Sequence, residues 1–310
     1  MIYVIGGSSV DLYGLPQQNL RMRDSNPGAI KIGYGGVGRN IAENLVRLKQ
    51  DVWFVSVFGK DANGIKMREH CANIGMHLDD CLSAEQSDSY LAILDENRDM
   101  AVAVADVAQL FTLDDKALAP VCKRVQAKDL VVLDANLNQS QVDYLLMHLP
   151  PVTIAADPIS ILKCARFAPW LNKLGVFKPN RVESEALCGF VLDSQDALKR
   201  GLCWFLRQGV KEILISLGED GLIAARKNEA WHLYHDPVEI VNASGAGDAL
   251  MSGYLAAKCE GLPFDKCLEI GAGCAILTLR SNDTCPFELD IQKACQCSSQ
   301  YHVKKERIEL

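Results

Sequence analysis

No apolar run in the sequence approaches the ~20 residues that a membrane-spanning helix requires. The first strand-like stretch, Ile2–Ile5, follows no basic segment and leads into no long apolar one. Neither a signal peptide nor a spanning helix is expected, and the cytoplasm is the expected compartment. C-x-x-C pairs are also missing, and the twelve cysteines are scattered through apparent helices and strands. That usage reads as reduced, mostly buried thiols and not as a disulfide framework. Cys295-Gln-Cys297 has no second Cys or His pair at matching spacing, so no metal is expected there. Basic clusters are scarce: no run exceeds a pair such as Lys304-Lys305, and 32 basic against 39 acidic residues leave a net charge of -7. Nucleic acid and anionic membrane are therefore poor partners. A Walker phosphate loop, an H-E-x-x-H zinc helix and a G-x-S-x-G nucleophile elbow are all absent. His70, His77, His148, His232, His235 and His302 form no ligand-like cluster.

What is present is a chain of 310 residues, long enough to bury roughly 75% of its unfolded surface. Strand-like and helical runs alternate: Ile2–Gly6, a helix from about Asn40, Val52–Val57, a helix from about Asn63, Leu130–Asp134, a helix over Gln139–His148, Val152–Ala156. The rhythm continues through Gly175–Lys178, helices over Arg181–Cys188 and Ser194–Gln208, and Glu212–Leu217. This βαβ order predicts an α/β fold with a mostly parallel sheet and helices on both faces. Residues 12–34 and 87–105 break the rhythm and read as a small separate sheet over one end of the main one. The last third is expected to be mainly helical, with Ala246–Cys259 and Phe264–Leu279 clearest. No repeat or linker composition divides the chain, so residues 1–310 read as a single domain with a β lid.

Gly33-Tyr-Gly35-Gly-Val-Gly38 fits G-x-G-x-x-G, but a dinucleotide fingerprint must follow the first strand directly, and that strand ends near Gly6. The motif reads instead as a turn that lets backbone approach a ligand closely, with Asn40 offered from the helix that follows. Asn242-Ala-Ser-Gly245-Ala246-Gly247-Asp248 is expected to follow a strand at Val238–Val241 and to open an apolar helix. Small residues at a helix N-terminus leave N–H groups open to an anion. An acid in that first turn complements the helix dipole, yet together with a phosphate site it also supplies what phosphoryl transfer to an alcohol requires. Asp134 and Asp157 end strands, where α/β proteins collect site residues; Asp157 reads either as support for magnesium and phosphates or as a turn residue.

Asp11, Gly35-Gly36-Val-Gly38-Arg-Asn40, Lys178-Pro-Asn180-Arg-Val-Glu183, Ser216-Leu-Gly218-Glu-Asp-Gly221 and Gly245-Ala-Gly-Asp248 follow one another over about residues 2 to 280. In order and type they resemble the motif set of the ribokinase or PfkB-type carbohydrate kinases. The resemblance implies a ribokinase-like fold, ATP as co-substrate and Mg2+. It implies Asp248 as catalytic base, Gly245, Ala246 and Gly247 as the anion hole, and Asp11, Gly36 and Asn40 on sugar hydroxyls. Asn180, Ser216, Gly218 and Gly221 would line the nucleotide, Ala272 and Ala275 its adenine, and Glu183 would organise magnesium through water. The lid of that family often forms a homodimer interface. Asp24-Ser-Asn26-Pro27-Gly28 with the Gly35–Asn44 stretch further resembles the pseudouridine kinase branch, in which Asn26 would read the base. An Asn offers the donor and acceptor that a uracil-like edge needs, though the same residues also make an ordinary turn. Where ribokinases carry Asp and Thr beside a potassium ion, this chain has Asn242 and Ser244, which weakens a monovalent-cation site. The reading is a kinase for the 5′ hydroxyl of a ribosyl substrate, first pseudouridine, with ribose, a hexose or another nucleoside as alternatives. A non-catalytic sugar or nucleoside sensor would keep Asp11 and Asn40 but would not need Asp248 and the phosphate turn.

Overall fold

The computed structural model describes residues 1–96 and 100–310; residues 97–99, within the 87–105 segment, lie outside the described residues. Its main sheet, nine-stranded among the described residues, begins at one edge with Val52–Val55. It continues through Ile2–Ile5, Leu130–Asp134, Thr153–Asp157, Val176–Phe177 and Glu212–Ser216, all parallel. Leu222–Arg226, Glu229–Tyr234 and Lys304–Arg307 extend it antiparallel to the other edge.

Side chains alternate across the strands and so build two cores. Ile2, Val4, Phe54 and Val132 pack on one face with Ile41 and Leu45 of the helix Val37–Arg47 and with the helices Ala246–Cys259 and Phe264–Leu279. Tyr3, Ile5, Val131, Leu133 and Phe177 pack on the other, against Asp115–Arg124, Gln139–His148 and Gln195–Arg207. Leu130–Asp134 is buried at every position, as a strand covered on both faces must be.

A smaller sheet, four-stranded among the described residues, stands apart, ordered Gly28–Gly35, Ser9–Pro16, Ser89–Leu94, Met100–Asp106. Asp11 and Tyr13 point to one of its faces, and Leu12, Ile30, Ile32, Leu91, Val102 and Val104 to the other.

Two local expectations need correction. The helix expected from about Asn40 starts at Val37 with Gly36 as its N-cap, so Asn40 stands one turn in. Val238–Val241 is not a strand: Lys304–Arg307 takes the sheet edge beside Glu229–Tyr234, and Ile240 and Val241 are exposed. That C-terminal strand, Lys304-Lys305-Glu306-Arg307, is charged at every position and has no apolar run, so periodicity gives no sign of it.

Candidate active site

The carboxyl ends of the parallel strands meet the Gly-rich turn and the N-terminus of the helix Ala246–Cys259. Beside them, under the small sheet, lies a cleft of 670 Å³ whose lining includes Asp11, Tyr13, Arg39, Asn242, Ser244 and Cys285. Asp11 is held by the Ser9 hydroxyl, which donates to Oδ1 at 2.8 Å, and by the Tyr13 hydroxyl, which donates to Oδ2 at 3.3 Å. Burial raises the Asp11 pKa against the pull of Ser9, Arg39 and Tyr13. Burial and the Asp11 charge push the Tyr13 phenol up to about 12. A Cβ on Gly35 would collide with the Asp11 carboxylate, so this glycine makes room for the acid.

Gly36 has φ 91° and faces the Gly7 carbonyl so closely that no side chain fits. The N–H groups of Gly7 and Gly38 both donate to Asp134 Oδ2, at 2.9 and 2.7 Å. The G-x-G-x-x-G spacing thus joins the helix start to the turn after the first strand through a buried carboxylate.

Asp248, 7% exposed, accepts a hydrogen bond from Asn40 Nδ2 at 2.7 Å. Burial and the nearby Asp157 charge push its pKa up to about 7, against Asn40 and Lys178, which favour the ionised form. Gly245 has φ 85°, and the first intrahelical bond is Ala249 N–H to the Gly245 carbonyl at 2.9 Å. The N–H groups of Ala246, Gly247 and Asp248 lie ahead of that bond, at the positive end of the helix. The Lys178 ammonium is 3.0 Å from Asp157 Oδ2 and 3.2 Å from where a Cβ on Gly247 would stand. Burial works against its charge, but Asp157 and Asp248 outweigh burial and raise its pKa.

Asn180 caps the helix Arg181–Cys188. Its Oδ1 accepts the Glu183 N–H at 2.9 Å, and Glu183 Oε2 accepts the Asn180 N–H at 2.8 Å. Burial, with Asp157 adding to it, raises the Glu183 pKa. Asn180 bridges to Ser216 at the end of the neighbouring strand. Gly218 has φ 67° with open space where a Cβ would project, whereas Gly221 has φ 87° and abuts the Leu233 carbonyl. Ala272 and Ala275 lie on the helix Phe264–Leu279, the first buried and the second half-buried.

Asn26 is not brought to the cleft. Its Oδ1 accepts the Arg21 N–H at 2.8 Å, and its Nδ2 donates to the Arg21 and Asp24 carbonyls at 3.0 and 3.1 Å, so the amide is engaged within its own turn. Asn242 Oδ1 likewise accepts the Ser244 N–H at 2.9 Å. Lys178 and Arg39 were visible in the sequence only as letters inside motifs. A lysine two residues before Asn180, directly after a buried strand, was the one available signal for the first.

The comparisons agree with this geometry. Residues 1–290 match the profile of the pfkB family of carbohydrate kinases. The chain is 31% identical over 293 residues to the pseudouridine kinase of Escherichia coli, covering 94% of each. A carbohydrate kinase from Agrobacterium tumefaciens superposes with a TM-score of 0.83 at 27% identity, over 99% of each chain. The Arabidopsis thaliana ribokinase complexed with ribose and ATP superposes at 0.81 with 20% identity, over 96% of this chain and 98% of that one. The chain belongs to the pfkB family of carbohydrate kinases and is an ATP-dependent carbohydrate or nucleoside kinase.

Proposed function

We propose that this kinase phosphorylates the 5′ hydroxyl of a ribosyl substrate, pseudouridine first, with Asp248 as the general base. One observation carries the base assignment: a buried carboxylate with its pKa near 7 is held by Asn40 in the first turn of a helix whose N–H groups are open. A base poised near neutrality takes a hydroxyl proton efficiently, and the donors of Gly245, Ala246 and Gly247 suit the equatorial oxygens of a transferring phosphoryl group.

Asp11, Gly36 and Asn40 would orient the sugar, and Asn180, Ser216, Gly218, Gly221, Ala272 and Ala275 would follow the nucleotide. Glu183 and Asp157 offer oxygen donors close to a single buried ammonium. That donor set suits Mg2+, which takes one or two carboxylates and completes its shell with water and phosphates. The ion, held through water by Glu183, would offset the β- and γ-phosphate charge. Residues 1–310 act as one domain, and the sheet built from segments 12–34 and 87–105 acts as the lid. Its apolar outer face, with Ile30 75%, Val104 64% and Leu91 42% exposed, favours a homodimer through the lid.

The Escherichia coli pseudouridine kinase supports the choice of nucleoside. The engagement of Asn26 within its own turn favours ribose or another nucleoside as the second reading, because it leaves the base edge without the donor expected for it. The test is ADP release from magnesium-ATP with pseudouridine, uridine, ribose and fructose. Turnover with pseudouridine alone supports the first reading; turnover with ribose selects the second; silence with all of them overturns both.

A further inference from the structure

The Asn40 amide can serve Asp248 only in one orientation. With Nδ2 toward the carboxylate it donates; rotated by half a turn, it would set Oδ1 against a carboxylate oxygen, and only a protonated Asp248 could accept that arrangement. Nothing in Asn40 itself decides between the two.

The neighbouring residue does. Arg39, 2% exposed, donates from Nη2 to Asn40 Oδ1, so a rotated amide would face the guanidinium donor to donor. The guanidinium cannot easily turn away. Its Nε donates to the Gly35 carbonyl at 2.9 Å, Nη2 to the Tyr34 carbonyl at 2.7 Å, and Nη1 to Glu43 one turn along the same helix. Glu43 is itself fixed by Arg47, whose Nε donates at 3.2 Å, and by His70 at 3.1 Å. A buried guanidinium with fixed partners is a rigid fork that a lysine cannot copy. Arg39 lines the cleft and reaches Asp248 through Asn40.

We infer that Arg39 is a positioning residue of the phosphoryl-transfer site: it locks the Asn40 amide so that Nδ2 faces Asp248 and keeps that carboxylate ionised for proton transfer. This rests on the reading of Asp248 as base. The other groups that face Asp248 are Asp157 and Lys178 at the ends of their strands, Asp134 at the end of its own, and Cys285 in the loop after the helix Phe264–Leu279. None of these is touched by a change at Arg39 except Cys285, whose sulfur lies 3.9 Å from Nη2; its thiol also reaches Asn40 Oδ1, at 3.8 Å, as a much weaker donor than the guanidinium.

The experiment is the pH profile of kcat for Arg39→Met, Asn40→Ala and the double variant, each with folding checked by circular dichroism, and with Asp248→Asn as control. Loss of the lock frees the amide to rotate and favours protonated Asp248. The acid limb should then move up by about one pH unit, lowering kcat about 5-fold near pH 7 and under 2-fold near pH 9. A change that merely reduced the fraction of folded enzyme would lower kcat equally at every pH. In the Asn40→Ala background, Arg39→Met should add no further shift. Should Arg39→Met fail to fold, Arg39→Lys replaces it: it keeps charge for Glu43 but cannot also hold Asn40, and the limb should shift in the same direction. An unmoved acid limb in the folded variant, with Asp248→Asn inactive, overturns the inference about Arg39. Turnover in Asp248→Asn overturns the base assignment instead.

Discussion

On the reading of Asp248 as general base, replacing it with Asn should separate activity from stability, because the structure buries this carboxyl beside the Asp157 charge. Loss of a general base costs about 10² to 10⁴-fold in rate, which is ~3 to 5 kcal/mol of barrier. The same carboxyl has its pKa raised by burial and by Asp157 to about 7. A group bound more tightly to its proton in the folded state stabilises most below its unfolded pKa, near 4, and that stability is lost as pH rises toward 7. A rise of roughly three units corresponds to about 4 kcal/mol at most. Asn at this position keeps an acceptor for Asn40 Nδ2 and removes the like charge. The variant should therefore lose ADP release by at least about 100-fold and melt a few degrees higher near neutral pH, with the gain shrinking below about pH 5. Calorimetric scans and a coupled ADP assay on the same preparation read both. Wild-type turnover would refute the base assignment; a lower melting temperature at neutral pH would refute the claim that the charge is held at a cost.

For the wild type, kcat should rise with pH through about 7 and then level, since only the ionised Asp248 accepts a proton; a profile flat from pH 5 to about 9 would exclude a base of that pKa. Gly35→Ala drives a methyl group into the Asp11 carboxylate and should raise KM for the sugar about 10-fold or more with little change in the KM for ATP, on the view that small misplacements of positioning groups are costly. Val104→Lys with Leu91→Asp, read by sedimentation, should shift the protein toward monomer; an unchanged mass would remove the outer lid face as the interface. Asn242→Asp should introduce or strengthen activation by potassium by restoring a charged oxygen ligand, and equal rates in potassium and in a large organic cation would refute it.

The parts of the site that could be read from sequence are those in which chemistry is contiguous. Gly245 to Asp248 are neighbours in the chain, and a turn that opens a helix fixes their relative positions without help from elsewhere; Asn180 and Glu183 are bound to each other by the same helix-end logic. What could not be read depends on long-range closure. The bond from Asn40 to Asp248 spans 208 residues, and that from Gly7 to Asp134 spans 127. No spacing rule reaches that far, so from sequence Asp134 reads only as a strand end and Arg39 only as a letter inside the Gly-rich motif. The Val238–Val241 run failed for a related reason. Apolar alternation reports on a face that needs burying, and whether a strand forms there depends on which segment occupies the sheet edge; here Lys304–Arg307 does. Asn26 differs in the opposite direction. Its chemistry suits a base edge, but the structure engages its amide with the donors and acceptors of its own turn, as short polar side chains in turns commonly do. Buried carboxylates behave otherwise: Asp134 and Asp248 have no water to fall back on, so each is tied to a partner distant in sequence, and those ties bring the Gly-rich turn, the strand ends and the N-terminus of the helix Ala246–Cys259 to one point.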